Sequence, residues 1–342
     1  MKKIIALVAA LCMVFALCAC GGSSAPAATS APAAEAPAAE APAADAPAAG
    51  GPSESLTFVT GGETGTYYAF GSVIAQYVSA TPTLSDTAVS GNGSKANVED
   101  MDAGAYQLGF CQSDVMSYAH DGTNIFAETG AVDSFSAVAA LYMEQVQIVT
   151  MNPDIKTVED LRGKSVSIGA LGSGVYFNAV DVLGCYDMTI DDITPVYQSF
   201  GDSADSLKDG KIDAAFIVAG APTTAITDLS TSGQVYLVSI DDEHVDKLIA
   251  ASPYYSKYTV SADTYGMPED AQTVAVAAMV LARNDVSEDA IYTFVSTIFD
   301  NADQLQHGKA AELSLEFASS ISSVPYHPGA ARYFAEKGFD VA

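Results

Sequence analysis

The sequence contains two similar blocks, and this duplication limits the folds that the chain can adopt. In each block an apolar strand leads into a glycine turn and then into an apolar helix, at residues 56–79 and 165–183. Each block ends with a helix, a glycine and a second apolar strand, at residues 100–114 and 206–220. Two such units predict an α/β fold with two similar lobes, because the repeat is too long for a solenoid period.

The glycine turn at the start of each helix predicts a site for a small anion. The first N–H groups of a helix have no partner within the helix, and the helix dipole favours negative charge there. If the two lobes face each other, both helix N-termini point into one cleft, which closes around a ligand by a hinge motion. The matching glycines Gly65 and Gly174 favour this interpretation over a duplication kept for packing alone.

The first 55 residues indicate export and a spacer rather than a folded domain. Residues 1–19 have a basic start and a short apolar run, and Leu17–Cys20 resembles the processing site of a bacterial lipoprotein. We therefore expect a lipid on Cys20, with an ordinary cleaved signal peptide as the alternative. Residues 20–55 contain four alanine- and proline-rich pentapeptides and predict an extended linker. The protein would then be extracytoplasmic, lipid-anchored to the outer face of the cytoplasmic membrane.

The composition argues against several classes of function. The chain has 14 basic and 42 acidic residues, and its formal net charge of −28 disfavours binding to nucleic acid or to an anionic membrane surface. Common catalytic motifs and cysteine–histidine metal patterns are missing from the sequence, so we expect no enzymatic activity, cofactor or metal. Cys111 and Cys185 lie in apolar stretches and are expected to be buried free thiols, although their pairing stays open.

A series of short motifs runs in order from residue 56 to the end of the chain. They are Gly65-Thr66-Tyr67-Tyr68, Gly93-Ser94 with Asn97, Gln112-Ser113-Asp114, Leu141–Glu144, Leu161–Lys164, Gly172-Ser173-Gly174, Asp209–Ala214, Ala219–Thr223 and His327-Pro328-Gly329-Ala330. Together they resemble the TAXI family, the solute receptors of tripartite ATP-independent periplasmic (TRAP) transporters. The resemblance implies a two-lobed, periplasmic-binding-protein type II-like fold with the ligand in the interlobe cleft.

The resemblance also implies a function and a partner. Such a receptor delivers a small organic anion or amino acid, such as glutamate or a C4–C5 dicarboxylate, to the membrane subunits of a TRAP permease. A ligand-binding surface sensor and an amino-acid receptor of another transporter class are the alternatives. We expect lobe 1 at residues 56–148 plus 265–342 and lobe 2 at residues 149–264, with apolar strands at 142–149 and 274–281 as hinges between them.

The predicted ligand-binding residues lie in the glycine turns and just after the strands. They are Gly65, Thr66, Tyr67, Ser94, Asn97, Gln112, Asp114, Gly172, Ser173, Gly174, Gly220 and Pro222. No arginine lies in a glycine turn, so we expect capture by backbone amides and hydroxyl groups rather than by an arginine clamp.

The predicted residues have different expected roles. We expect specific contacts from Thr66 and Tyr67. The turn around Ser173 would supply mainly backbone amides, because Val175 stands where the TAXI family usually has threonine. Ser94 and Asp114 could instead be plain helix caps. A ligand with an ammonium group would need a carboxylate, and Asp114 or Glu144 is the candidate.

Overall fold

The structure is a computed structural model that describes residues 54–341, and its strands form one sheet. The predicted signal peptide, Cys20 and nearly all of the linker lie outside the described residues. The strands are β1 (Glu54–Val59), β2 (Leu84–Val89), β3 (Leu108–Gln112), β4 (Phe135–Thr150), β5 (Ser165–Ser167), β6 (Thr194–Val196), β7 (Ala214–Ala219), β8 (Tyr236–Leu237), β9 (Ser256–Val260) and β10 (Ala271–Arg283).

The helices flank this sheet and follow the apolar pattern of the sequence. They are α1 (Thr66–Val78), α2 (Ser94–Asp102), α3 (Ser113–Asp121), α4 (Val175–Cys185), α5 (Phe200–Lys208), α6 (Thr224–Ser232), α7 (Asp242–Ala251), α8 (Glu288–Asp300), α9 (Leu315–Ala318) and α10 (Pro328–Glu336). In α1 the side chains of Phe70, Ile74 and Val78 recur every four residues and are buried along one face. Within residues 54–341, no helix combines the length and the apolar character that a membrane span requires.

The duplication in the sequence appears as a repeated strand order in the sheet. The strands follow the order β2-β1-β3-β10-β4-β7-β5-β6. β1 lies parallel to β2 and β3, and β5 lies parallel to β6 and β7. β3 is antiparallel to β10, just as β7 is antiparallel to β4. The two halves of the sheet therefore have the same topology, which matches the two strand–helix blocks of the sequence.

The two longest strands, β4 and β10, join the halves of the sheet. They pair with each other in antiparallel register from Phe135 opposite Arg283 to Gln145 opposite Ala275, with irregularities beside Met279. The far end of β4 pairs with β7, whereas β10 pairs with β3 in the first half and with β9 in the second. Both strands thus have a place in each half, and their role as hinges stays a prediction.

The buried apolar side chains form three clusters that follow the halves of the sheet. One cluster takes its buried members from residues 56–142 and 277–334, and it contains the stacked rings of Phe58 and Phe110. The other two take theirs from residues 146–276. The first half therefore has one core cluster and the second half has two, and β4 and β10 contribute residues to both halves. The exact lobe boundaries at 148/149 and 264/265 stay predictions.

One predicted helix is wrong. The apolar pattern predicts a single helix from Ala310 toward Phe317, but the structure has a 3-10 helix at Gly308–Glu312 and a separate short α9. Ser314 interrupts the helix because its hydroxyl oxygen accepts a hydrogen bond from the N–H of Phe317 and so caps α9. A side chain that bonds to the local backbone competes with helix continuation, and the apolar spacing does not reveal that competition.

Candidate functional site

A cavity of about 140 Å³ lies between the two halves of the sheet. Its walls come from the turns after β1, β2 and β5, the ends of β3 and β7, and the start of α5. This volume is the space open to the centre of a water-sized sphere, and one buried water needs roughly 10–15 Å³ of it. The cavity therefore has room for roughly ten non-hydrogen atoms.

Most of the predicted site residues meet at this cavity. The predicted residues that line it are Gly65, Thr66, Tyr67, Ser94, Gln112, Ser173 and Gly174. They come from both sequence blocks, as the duplication predicts. The structure places the other five predicted residues behind the walls or at the rim, where they have other contacts.

Asn97 and Gly220 support the walls from behind. The side-chain amide of Asn97 is fully buried and donates to the carbonyl oxygens of Thr60, at 2.6 Å, and Phe110, at 2.8 Å, so it links the ends of β1 and β3. The carbonyl oxygen of Gly220 accepts a hydrogen bond from Oγ1 of Thr66 at 2.8 Å, across the two halves.

Gly172, Asp114 and Pro222 also lie outside the lining. The carbonyl oxygen of Gly172 accepts from the N–H of Ala96 at 2.9 Å, which joins the halves at the rim. Asp114 is fully buried beneath the cavity and accepts from Asn178. Pro222 follows a cis peptide bond and precedes α6. A sequence pattern places such residues near a turn, but tertiary packing decides which of them reach the cavity.

Three of the helices that begin at the cavity have glycine at the N-cap and no side-chain cap. Their N-cap residues are Gly65 in α1, Gly93 in α2 and Gly174 in α4, and all three line the cavity. In the described part of the chain, no side chain caps these three N-termini. The first-turn N–H groups have no partner within the helix, so this end carries partial positive charge and donors that no side chain uses, although one of them in α2, the N–H of Ala96, bonds to the carbonyl oxygen of Gly172. Three helix ends therefore favour an anionic group in one small space.

An acidic side chain lies on the same wall. Glu144 of β4 lines the cavity with only 2% of its surface exposed, and Tyr67 donates its hydroxyl hydrogen to Oε2 at 2.6 Å. Among residues 54–341, no basic group pairs with it, because the nearby Lys309 is bound to Glu312 at 2.6 Å. Burial raises the pKa of Glu144 to about 8, and Asp114 adds to the rise. The cavity thus contains a hydrogen-bonding carboxyl group as well as positive helix ends.

Comparison with known proteins places this architecture in a family. A model of the NMT1-like family matches residues 58–338. The chain belongs to the NMT1-like family. The fold class predicted from the sequence, α/β of the periplasmic-binding-protein kind, is confirmed.

Solved structures with a similar chain course include two sulfonate-binding proteins and one putative ABC transporter protein. The alkanesulfonate-binding protein SsuA from Xanthomonas axonopodis pv. citri, bound to MOPS, has 16% identity and a TM-score of 0.49, with 84% of each chain covered. A putative L-cystine ABC transporter protein from Listeria monocytogenes has 13% identity and a TM-score of 0.46 over 77% of this chain and 95% of that one. The aliphatic sulphonate-binding protein SsuA from Escherichia coli has 15% identity and a TM-score of 0.44 over 83% and 90%.

Two further polar groups of this NMT1-like protein lie buried at the cavity. Gln112 donates through Nε2 to Oδ1 of Asn178 at 2.9 Å, but its Oε1 has no partner in the described residues. Oγ of Ser173 is likewise buried without a partner there. A buried polar atom that makes no hydrogen bond is unfavourable by about 1–3 kcal/mol. These atoms therefore mark places where a ligand or a water would complete the hydrogen bonding.

The apolar side of the NMT1-like site comes partly from residues that the sequence did not indicate. The ring of Tyr67 stacks on Phe110 with centroids 4.5 Å apart, and this stack holds its hydroxyl group toward Glu144. Phe200 and Ser199 close the cavity from α5, and Val218 from β7. No local motif marks these three positions, whereas Glu144 was detectable as an acid inside an apolar strand.

Proposed function

We propose that this NMT1-like protein is an extracytoplasmic solute-binding lipoprotein that captures a small organic anion or amino acid between its two lobes. The convergence of three uncapped helix N-termini on one cavity carries the proposal. A carboxylate placed there accepts hydrogen bonds from donors that no side chain uses, and it interacts favourably with three helix dipoles.

The size and charge of the cavity narrow the class of ligand. Room for roughly ten non-hydrogen atoms suits glutamate or a C4–C5 dicarboxylate. Glu144 favours the amino acid, because an ammonium group beside this buried carboxyl group would lower its pKa and pair with the ionised form, which has no other cationic partner among the described residues. Thr66, Tyr67, Ser94 and Gln112 would add polar contacts around the ligand, and the turn Gly172–Gly174 would add backbone amides.

Capture requires the lobes to separate and close. The halves are joined around the cavity by the bonds Ala96–Gly172, Thr66–Gly220 and Gln112–Asn178. A ligand of this size enters once these contacts open, and β4 and β10 are the proposed hinges because both strands contribute residues to the clusters of each half. The arrangement described is thus the closed form.

The proposed partner is the membrane permease of a TRAP transporter. This part rests on the ordered motifs that resemble TAXI receptors, with a lipid on Cys20 and the linker at residues 20–55 holding the receptor at the membrane. A receptor of another importer class would share the capture step and differ in the membrane subunit. Labelling cells with a radioactive fatty acid tests the anchor: the wild type should be labelled, and Cys20→Ser should not.

A thermal-shift screen of the full chain tests the capture step. The panel contains L-glutamate, L-aspartate, L-glutamine, glutarate, succinate and propanesulfonate, with glucose as a neutral control. A compound that binds should stabilise the protein by roughly 3–4 kcal/mol when its concentration is 100 to 1,000 times Kd. A panel in which no anion or amino acid raises the melting temperature would contradict the proposed ligand class.

A further inference from the structure

A continuous chain of hydrogen bonds crosses between the two halves beneath the cavity. Gln112 donates to Oδ1 of Asn178, and Nδ2 of Asn178 donates to Oδ2 of Asp114, at 3.2 Å, and to the hydroxyl oxygen of Tyr255, at 2.8 Å. The hydroxyl group of Tyr255 in turn donates to Oδ2 of Asp181 at 2.9 Å. Gln112 and Asp114 belong to the first half, and the other three residues belong to the second. The network is therefore complete only when the halves are closed.

Asp114 is the member of this network that is most cut off from water. Its side chain is 0% exposed, and within the described residues Oδ1 has no hydrogen-bond partner. The titratable groups that act on it are Asp181 from α4 and Glu144 from β4, with the neutral Cys111, Tyr118 and Tyr255 close by. In the described part of the chain, no lysine or arginine forms an ion pair with it. An ionised Asp114 would thus be buried among acids.

Opening the cleft would change this environment. In the open form the second half, with Asn178 and Asp181, moves away and water reaches Asp114, where its pKa would approach the ordinary value of about 3.9. In the closed form burial raises the pKa of Asp114 to about 7, with a further contribution from Asp181. Closure therefore favours the protonated carboxyl group, whose free hydrogen could also satisfy a polar neighbour.

We propose that Asp114 takes up a proton when the cleft closes, so that ligand capture is linked to proton uptake and weakens as the pH rises. This inference rests on the proposed function, because it requires a ligand-linked closure. Below about pH 4 both forms are protonated and the linkage vanishes. Between about pH 4 and pH 7 closure takes up one proton, and the affinity falls by up to about tenfold per pH unit. Above that range Asp114 is ionised in both forms and its contribution becomes constant.

The chain contains a matched control for this carboxyl group. Asp86 in β2 is also buried, with both carboxyl oxygens unpaired among the described residues, and burial raises its pKa to about 7. It packs against Ser79 at the C-terminal end of α1. Since α1 has 13 residues and rises about 1.5 Å per residue, Asp86 lies roughly 20 Å from the cavity end of that helix. Closure should leave the surroundings of Asp86 unchanged.

Titration calorimetry with L-glutamate measures the linkage directly. The ionisable groups of L-glutamate do not titrate between about pH 5.5 and pH 8.5. Repeating the titration in two buffers with different ionisation enthalpies gives the number of protons that the complex takes up. At about pH 5.5 the wild type should take up about one proton more than Asp114→Asn, and at about pH 8.5 the difference should disappear. Asp86→Asn should match the wild type at both pH values.

Two results would overturn the proposal. Equal proton uptake by the wild type and Asp114→Asn at the lower pH shows that Asp114 does not titrate with closure. An equal loss of uptake in Asp86→Asn shows that buried carboxyl groups in general, rather than the interface, produce the effect.

A ligand-free measurement separates this inference from the proposed function. If no anion or amino acid of the panel binds, the proposed ligand class has failed. Small-angle X-ray scattering then tests Asp114 alone. The radius of gyration of the wild type should increase as the pH rises through about 7, Asp114→Asn should stay compact, and Asp86→Asn should follow the wild type. The same pH dependence in all three proteins would contradict the proposal.

Discussion

Three helices that begin at the cavity differ from two that begin elsewhere on the surface. α7 and α8 start with Asp241 and Ser287, whose side chains accept hydrogen bonds from the N–H groups of His244 and Ala290, each at 3.1 Å. α1, α2 and α4 start with glycine and, among residues 54–341, have no side-chain cap. The same fold therefore satisfies some helix ends with its own side chains and leaves others for a partner.

The residue at the N-cap decides whether a helix end is available to a ligand. An aspartate or serine at the N-cap would accept hydrogen bonds from the donors of the first turn. Its side chain would then fill the space that a ligand carboxylate needs and would offset the partial positive charge of the helix end. Glycine leaves the donors without a side-chain partner. α5 shows the limit of this pattern, because it begins at the cavity but is capped by Ser199, which accepts from the N–H of Asp202 at 3.1 Å. The N-terminus of α5 therefore adds less to anion binding than the other three.

The largest expected effect follows from filling the space at one uncapped end. A Cβ added to Gly174 would lie 1.6 Å from Oε1 of Gln112, although the backbone at Gly174 suits any residue. Gly174→Ala should therefore displace Gln112 and lower ligand affinity by roughly tenfold to a hundredfold, in line with about 1–3 kcal/mol for overpacking. Calorimetry with the best compound of the panel measures this loss.

Gly184→Ala in the same helix is the control for that substitution. Nothing lies within 4 Å of its added Cβ. Since alanine is favoured over glycine inside a helix by about 0.5–1 kcal/mol, the variant should be more stable and should bind as the wild type does. An equal loss of affinity in both variants would mean that the loss does not come from filling the space beside Gly174.

The carboxyl group of Glu144 should decide the preference between amino acids and dicarboxylates. Glu144→Gln should weaken L-glutamate by about tenfold or more, because a hydrogen bond to a charged group contributes about 1.5–3 kcal/mol, and should leave glutarate unchanged or tighter. Competition calorimetry with this matched pair of ligands measures the ratio of affinities. An unchanged ratio would remove Glu144 from ligand recognition.

Glu144 should also affect stability in a pH-dependent way. Because burial raises the pKa of Glu144 to about 8, folding takes up a proton between the ordinary value of about 4.3 and about 8. The contribution of Glu144 to the free energy of unfolding is therefore largest at low pH and is lost as the pH rises through this range. Urea unfolding should show Glu144→Gln gaining stability relative to the wild type from about pH 5 to pH 8. If the difference in stability between Glu144→Gln and the wild type did not change with pH, the pKa of Glu144 would not be raised in the folded protein.

Removing a cap at the surface should have a smaller effect, and on stability alone. Ser287→Ala deletes the acceptor for the N–H of Ala290 and should lower the free energy of unfolding by about 1 kcal/mol. Urea unfolding measures the loss, and ligand affinity should stay within twofold of the wild type. A parallel drop in affinity would erase the distinction between the two groups of helices.

The smallest expected stability change comes from adding a cap at the cavity. The extended backbone of Gly65 accepts a serine, although the new Cβ would lie 3.2 Å from the carbonyl oxygen of Gly62. Gly65→Ser should stabilise the ligand-free protein by a few tenths of a kcal/mol, at most about 0.5, while it competes with the ligand for the same donors and lowers affinity several-fold. Higher stability with unchanged affinity would show that α1 does not contact the ligand.

Some residues of the site could be predicted from the sequence and others could not. The pair Gly65 and Gly174 was predictable because the duplication sets two glycines at equivalent helix starts. Asn97 was not, since an amide after a glycine turn can face the ligand or tie strand ends, and only the packed structure shows the bonds to Thr60 and Phe110. Phe200 reaches the cavity from a different part of the chain without any local motif.

The repeated strand order was predictable for the same reason as the paired glycines, because the sequence repeats with it. The break before α9 was not, because it depends on one serine that bonds to the local backbone. Periodicity reports which face of an element is buried, whereas competition between local hydrogen bonds decides where the element ends.

Amide hydrogen exchange in the presence of the best compound of the panel tests the central claim most directly. We expect the N–H groups of Thr66, Ser94 and Val175, in the first turns of α1, α2 and α4, to become protected when ligand binds. The N–H of Ala290 in the capped α8 should exchange at an unchanged rate. A ligand that stabilises the protein without protecting those three amides would contradict the account, because it would bind somewhere other than the uncapped helix ends.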